Sequence, residues 1–126
     1  MRKKLNVLIT GGSGFLGSHV ADTFSEAGHK VLIFDIKDSP YLRKDQKIFL
    51  GDILDGHSLE KAMEGIDMVF HLAALADIDV AKRRPYDTMN INIMGTVNVL
   101  EAARKNNVDK VIFASSIYVN SRAGSF

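Results

Sequence analysis

The sequence predicts an α/β fold built on a doubly wound, mainly parallel sheet of about five strands. Three observations lead to this prediction. Short apolar runs alternate with helical segments along all 126 residues. A glycine-rich loop follows the first run, and acidic, small or hydroxyl residues follow the later ones. Because consecutive parallel strands need right-handed crossovers, their carboxyl ends should meet at one edge of the sheet, where ligands gather.

The first strand runs directly into the glycine-rich loop. Val7-Leu8-Ile9 is typical of a buried strand, and Gly11, Gly14 and Gly17 follow at regular spacing. Gly11 can take the backbone angles of a sharp turn, and Gly14 leaves room for a phosphate at a helix N-terminus. Gly17 would let the new helix lie close to the sheet.

The helix after this loop should run to about Ala27, with Gly28 as its stop. Its apolar residues recur at four-residue spacing and are expected to face inward; they are Leu16, Val20 and Phe24. On their own, the three glycines would fit a flexible loop as well as a phosphate-binding loop. The strand before them and the helix after them favour the dinucleotide-binding loop of a Rossmann-type fold.

Asp35 ends the second predicted strand, residues 30–35, and lies 24 positions beyond Gly11. Rossmann-type folds place an acidic residue roughly 20 positions along the chain, where it binds the adenosine ribose hydroxyls. A carboxylate there repels the extra phosphate of NADP, so the sequence favours NAD. Lys37 leaves NADP as the less favoured cofactor. The alternative interpretation of Asp35 is a solvated turn residue.

Asp52 and Ile53 follow the third predicted strand, residues 48–50. Asp52 can accept a hydrogen bond from the adenine amino group, and Ile53 can form an apolar wall for the ring. An ordinary turn or cap aspartate is the alternative. Asp55 or Ser58 should cap the short helix that follows. The inward residues of that helix are expected to be Leu59, Ala62 and Met63.

The fourth predicted strand, residues 68–74, ends in Ala73 and Ala74. Small side chains at that end would leave room for a cofactor, although they could equally be packing alanines. His71 interrupts the apolar run. A histidine titrates near neutrality and invites a catalytic interpretation, but its position favours a hydrogen-bonded core residue.

The longest predicted helix begins at about Pro85 and reaches roughly to Asn106. One face carries Ile93, Val97, Leu100 and Ala103 at helical spacing. Gly95 lies within this helix, where glycine costs about 1 kcal/mol relative to alanine. Such a glycine is expected to mark a close approach to another backbone. A fifth buried strand, residues 110–116, should then end in the hydroxyls of Ser115 and Ser116.

Composition narrows the classes of function. With 46% hydrophobic residues the chain can bury one core, so residues 1–126 are expected to form one domain. A formal net charge of +1 gives no reason to expect nucleic acid or membrane partners. The four histidines are isolated, which predicts no metal site. The absence of cysteine excludes disulfides and a thiolate nucleophile, and a cytoplasmic location is expected.

Taken together, these motifs resemble the NAD-dependent epimerase/dehydratase family of extended short-chain dehydrogenases/reductases, whose members act on nucleotide sugars. The resemblance covers essentially the whole chain. It rests on Thr10-Gly11-Gly12-Ser13-Gly14-Phe15-Leu16-Gly17, Asp52-Ile53-Leu54-Asp55, His71-Leu72-Ala73-Ala74, Asn92-Ile93-Met94-Gly95-Thr96 and Ser115-Ser116.

The resemblance also implies roles for single residues. Phe15 and Leu16 would contribute backbone contacts to the pyrophosphate, and Asn92 would tie its helix to neighbouring strands. Ser116 would be catalytic, bonding the sugar hydroxyl that is oxidised. The expected cofactor-binding residues are Gly11, Gly14, Phe15, Leu16, Gly17, Asp35, Asp52, Ile53, Leu72, Ala73, Ala74, Asn92 and Ser115. Ala73 and Ala74 would line the nicotinamide side. A homodimer built partly on the helix from Pro85 is implied as well.

Two departures from the family pattern matter. Asn120 and Ser121 replace the family's tyrosine and glycine after the double serine, so the family's loop and its substrate contact are not expected at these positions. The family's catalytic base is a tyrosine with a lysine four positions later, and here Asp45, Asn90 and Arg122 follow Tyr41, Tyr86 and Tyr118 at that distance. We therefore expect the chain to be the N-terminal part of a longer enzyme, inactive alone, with the C-terminal part of the fold missing.

Three functions are compatible with the sequence. The first is the cofactor-binding portion of an NAD-dependent nucleotide-sugar epimerase or dehydratase. The second is a non-catalytic NAD(P)-binding module or sensor, which a tyrosine and lysine four apart further downstream would argue against. The third is an NADP-linked carbonyl reductase, which tighter binding of NADP⁺ than of NAD⁺ would favour.

Overall fold

A computed structural model describes residues 3–116, which form a five-stranded parallel sheet in the order β3-β2-β1-β4-β5. The predicted α/β class and parallel sheet are confirmed. The strands are β1 (Asn6–Thr10), β2 (Lys30–Asp35), β3 (Gln46–Leu50), β4 (Met68–His71) and β5 (Lys110–Phe113). The last two strands are shorter than predicted, so Leu72 to Ala74 and Ala114 to Ser116 lie in loops at the carboxyl edge.

The sheet carries a separate apolar core on each face, because side chains alternate along β1. Leu8 belongs to the core beneath α2 (Gly56–Ala62) and α5 (Gly95–Lys105). Val7 and Ile9 belong to the opposite core, beneath α1 (Phe15–Glu26). All three side chains are fully buried. β1 is therefore the centre of the doubly wound fold, and the loop that follows it lies in the middle of the carboxyl edge.

Helix α1 packs on the sheet through small residues rather than through the whole predicted stripe. Its buried residues are Gly17, Ser18, Ala21 and Ser25. Val20 and Phe24 pack against the core as predicted. Leu16 was wrongly assigned to the inward face and is 54% exposed. Gly17 and Ser18 are the buried residues of the first turn of α1 instead.

The second half of the chain holds three short helical elements before α5. They are α3 (Ile78–Arg83), α4 (Pro85–Met89) and one turn of π-helix (Asn90–Met94) that continues into α5. The predicted long helix from Pro85 is therefore confirmed, with a π-turn inside it. Of the apolar residues that the sequence places on one face of this helix, Ala103 is buried, whereas Ile93, Val97 and Leu100 are about half exposed. The buried residues of α5 are Gly95, Val99, Ala102 and Ala103.

Gly95 explains which face of α5 is buried. A Cβ atom at this position would lie 2.4 Å from Cδ1 of Ile53, so the helix approaches Ile53, in the loop after β3, more closely than any other residue would allow. The sequence predicted a close approach to another backbone, whereas the structure shows a close approach to a side chain. An apolar stripe is left on the outer face of the helix.

β5 was predicted as a buried strand and is mostly exposed. Among the described strands it pairs only with β4, so it forms an edge of the sheet. Phe113 is 67% exposed for that reason. Between residues 3 and 116 no helix is both long and apolar enough to cross a membrane.

Candidate functional site

Two adjoining cavities open at the carboxyl edge of the sheet. The first, of about 700 Å³, is lined by the loops that follow β1 to β4. The second, of about 880 Å³, lies between the start of α1, the loop after β4 and the residues after β5. Every candidate residue predicted from the sequence lines at least one of them. Five residues line both and join them, namely Gly11, Gly14, Leu72, Ala74 and Leu75.

Gly11 and Gly17 give the glycine loop its shape. Gly11 has a φ of +70°, a conformation that favours glycine, and its N–H donates to the Phe34 carbonyl at 2.9 Å. A Cβ atom on Gly11 would lie 2.7 Å from the Ala73 nitrogen, and one on Gly17 would lie 2.2 Å from the Gly11 oxygen. Gly17 was predicted to let the helix lie close to the sheet, but its tight contact is with the glycine loop itself.

Gly14 leaves the N-terminus of α1 open. It is exposed, and the N-cap position of this 12-residue helix has no side-chain hydrogen bond. The first bond of the helix runs from the Ser18 N–H to the Gly14 carbonyl at 2.9 Å. The N–H groups of Phe15, Leu16 and Gly17 therefore have no partner within the helix. Because the first turn carries no acidic residue, this positive end of the helix dipole can accept an anion.

Asp35 lies at the lip of the first cavity and is held by two backbone groups. Its Oδ2 accepts the Ser13 N–H and its Oδ1 accepts the Lys37 N–H, both at 3.1 Å. The Ser13 hydroxyl also donates to the Lys37 carbonyl at 2.8 Å. Each carboxylate oxygen keeps a further lone pair for a ligand. Asp35 thus joins the glycine loop to the end of β2, a contact that sequence spacing did not predict.

Asp52 and Ile53 form the far wall of the first cavity. Asp52 is exposed, and its Oδ1 accepts the Leu54 N–H at 2.9 Å. Oδ2 has no hydrogen-bond partner among residues 3–116. Ile53 is only 5% exposed because its side chain packs in the core. It therefore offers a ligand much less apolar surface than the predicted wall.

The loop after β4, residues 72–75 and called the β4 loop from here on, is clamped at both ends. The Thr10 hydroxyl oxygen accepts the N–H groups of Leu72 and Ala73, both at 3.1 Å. At the other end Asn92 accepts the Leu75 N–H at 2.8 Å and donates to the Leu75 carbonyl at 3.1 Å. Asn92 thus holds a loop, where the resemblance implied that it ties the helix to strands.

His71 is the hydrogen-bonded core histidine that the sequence predicted. It is 6% exposed, with Nδ1 at 2.7 Å from the Thr10 hydroxyl and Nε2 at 2.9 Å from the Thr96 hydroxyl. Burial lowers the pKa of the ring below its ordinary value, because the charged form would lose its hydration. His71 does not line either cavity.

Ser115 and Ser116 are exposed and line the second cavity with Phe15 and Leu16. Lys82 from α3 lines it too, and Arg84 lines the first cavity. Sequence reasoning missed both cations because no motif marks them. In the part of the chain that the structure describes, no group of three or more acidic or histidine side chains could hold a metal ion. Tyr118, Asn120, Ser121 and Arg122 lie outside the described residues.

Comparisons with known proteins agree on one family. Residues 7–124 match the model of the NAD dependent epimerase/dehydratase family. A UDP-glucose 4-epimerase of Rickettsia rickettsii is 34% identical over 125 aligned positions, which cover 87% of this chain and 36% of that protein. Two solved structures of proteins with related names are similar to this chain in fold.

The first of these structures is a UDP-glucose 4-epimerase from Thermotoga maritima with UDP-glucose, 34% identical with a TM-score of 0.84, covering 89% of this chain and 38% of that one. The second is a UDP-glucose-4-epimerase from Stenotrophomonas maltophila with bound NAD and formylated UDP-arabinopyranose. It is 29% identical with a TM-score of 0.88, covering 95% of this chain and 39% of that one. The chain thus spans less than two fifths of the length of these relatives.

Proposed function

The chain belongs to the NAD-dependent epimerase/dehydratase family, and from this we propose that it is the cofactor-binding portion of an enzyme that epimerises or dehydrates a nucleotide sugar. One observation carries the proposal. The open helix N-terminus at Gly14 and the carboxylate of Asp35 line the same cavity, as the pyrophosphate and the adenosine ribose of NAD require.

The residues present fit NAD along both cavities. The pyrophosphate would lie at Gly11 and Gly14, which the cavities share. The adenosine would extend past Asp35, with the Oδ2 of Asp52 open to the adenine amino group. The nicotinamide would extend toward Ala74 and the serines after β5. NAD, when bound, would supply a hydride acceptor for the sugar.

Ser116 is the residue that we propose for contact with the substrate. Its hydroxyl would orient the sugar hydroxyl through a hydrogen bond, and it is exposed at the wall of the second cavity. No tyrosine of the 126 residues has a lysine four positions later. The proton acceptor would therefore have to come from outside this sequence, and we expect this chain alone to bind NAD without turning over a nucleotide sugar.

Calorimetric titration of the chain with NAD⁺ and with NADP⁺ tests the cofactor. We expect NAD⁺ to bind more tightly, since Asp35 repels the additional phosphate of NADP⁺. Asp35→Asn should weaken NAD⁺ binding by about tenfold, because a charge-assisted pair of ribose hydrogen bonds becomes a neutral one. The same change should reduce the difference between the affinities for NAD⁺ and NADP⁺.

The matched control for Asp35→Asn is Asp109→Asn. It makes the same change of charge in the loop before β5, outside both cavities, and should leave both affinities as they are. Tighter binding of NADP⁺ than of NAD⁺ by the unaltered chain would favour the carbonyl reductase instead.

We also propose a homodimer through the outer face of α4, the π-turn and α5. Exposed apolar side chains run along this face, namely Tyr86, Met89, Ile93, Val97 and Leu100. Val97→Glu should therefore yield a monomer in sedimentation velocity at a concentration where the unaltered chain is a dimer. Lys47→Glu, an exposed change on β3, should not alter the sedimentation coefficient. A monomeric unaltered chain would contradict this proposal.

A further inference from the structure

The hydrogen bonds around His71 determine which ring nitrogen carries the proton. The Thr10 hydroxyl oxygen accepts the Ala73 N–H and shares the Leu72 N–H with the Thr10 carbonyl, each at 3.1 Å, and these two contacts occupy both of its lone pairs. Its single hydrogen is therefore directed at Nδ1 of His71, 2.7 Å away. Nδ1 must be the acceptor of this bond and carry no proton.

The opposite side of the ring gives the same answer independently. The Thr96 hydroxyl donates at 2.7 Å to the Asn92 carbonyl, which can only accept. Thr96 therefore accepts the bond from Nε2 of His71 at 2.9 Å. The ring then carries one proton, on Nε2, and every donor in the series has an acceptor.

We propose that His71 is a positioning residue whose neutral Nε2–H form fixes the β4 loop as the wall shared by both cavities. The series runs in one direction, from the Leu72 and Ala73 amides through Thr10, His71 and Thr96 to the Asn92 carbonyl. The Asn92 side chain then clamps Leu75. A proton on Nδ1 would point at the Thr10 hydroxyl oxygen, whose lone pairs are both in use. At least one hydrogen bond from a backbone N–H of the loop to this hydroxyl would then be lost.

The β4 loop matters for the ligand because it supports the glycine loop. A Cβ atom on Gly11 would lie within 3.0 Å of three backbone atoms of this loop, so the two backbones are already in tight contact. A shift of Leu72 and Ala73 toward the glycine loop would therefore displace Gly11. His71 would act on the cofactor through these neighbours, and this step rests on the proposed function.

The first measurement is the tautomer itself. In the unaltered chain at neutral pH, a long-range proton–nitrogen NMR spectrum should show His71 with a proton on Nε2 alone. A proton on Nδ1, or on both nitrogens, would overturn the assignment. This result does not depend on cofactor binding, so it stands even if the proposed function fails.

The second measurement compares Thr96→Val with Thr96→Ser. Valine keeps the shape but removes the acceptor for Nε2–H, whereas serine keeps the hydroxyl. Thr96→Val should shift the amide resonances of Leu72 and Ala73 and weaken NAD⁺ binding by about tenfold, as expected for one unpaired buried donor. Thr96→Ser should restore both to the unaltered values.

Amide resonances of the β4 loop that stay in place in a folded Thr96→Val chain would overturn the positioning role. Equal loss in the serine and valine variants would also overturn it, because the cause would then be packing. If the unaltered chain bound no NAD⁺, the proposed function would fail, and the resonances of Leu72 and Ala73 would still decide whether His71 positions the loop.

Discussion

Replacing Gly14 with valine is expected to abolish NAD⁺ binding while the chain stays folded. A Cβ atom at this position would meet only the Gly11 oxygen, at 3.3 Å, and the backbone φ of −81° suits any residue. The free energy of unfolding should therefore change by less than about 1 kcal/mol. The valine methyl groups would cover the open N–H groups of α1. We expect the affinity for NAD⁺ to fall at least about a hundredfold, or roughly 2.7 kcal/mol.

Calorimetric titration with NAD⁺ measures the change in affinity, and urea unfolding measures the change in the free energy of unfolding. Gly56→Val is the matched control, because Gly56 begins α2 and a Cβ atom there would meet nothing within 4 Å. It introduces the same side chain in a helical first turn outside both cavities, and it should leave NAD⁺ binding unchanged. If Gly14→Val bound NAD⁺ as tightly as the unaltered chain, the phosphate would not lie at this loop.

Features that depend on neighbours in the sequence were predicted well. The glycine loop, the stop at Gly28 and the cap at Asp55 follow from local backbone chemistry, and the structure has each of them. Gly28 has a φ of +84°, and Asp55 accepts the N–H of His57 at 3.0 Å. The hydrogen-bonded state of His71 was also predictable, since a single polar residue inside a buried strand must find partners, although the sequence does not identify them.

The features that were predicted wrongly depend on tertiary packing. The last helix is apolar on two faces, one carrying Val97 and Leu100 and the other Gly95 and Val99. Helical spacing describes both equally well. Gly95 decides between them, because only a residue without a side chain fits against Ile53. The exposure of β5 is a similar case, since a strand's composition does not reveal whether another strand covers its outer side.

The candidate site shows the same division. Spacing was enough to bring Asp35 and the glycine loop to one cavity, because the parallel topology aligns the ends of the strands. The bonds that hold these residues, such as Ser13 to Asp35 and Thr96 to His71, link positions that are 22 and 25 residues apart. No periodicity marks such pairs, so the supporting contacts emerge only from the three-dimensional structure.

Gly17→Ala should have the opposite effect to a change at Gly14 and destabilise the fold itself. The added Cβ would lie 2.2 Å from the Gly11 oxygen and 2.7 Å from the Gly12 Cα atom, and both are backbone atoms. Gly11 cannot retreat far enough to relieve this overlap, because its N–H is bonded to Phe34 and its other side abuts Ala73. Helix α1 must then move away from the loop. We expect the free energy of unfolding to fall by about 3 kcal/mol, with loss of NAD⁺ binding.

Gly14→Ala is the control for this change, because it adds the same methyl group facing the same Gly11 oxygen at 3.3 Å. Urea unfolding of the two variants should separate them, with Gly14→Ala within about 1 kcal/mol of the unaltered chain. Equal stability of the two would contradict the described packing of α1 on its loop. If Gly17→Ala alone is unstable, the roles divide as the geometry requires: Gly17 holds the helix in position, and Gly14 leaves its N-terminus open to the phosphate.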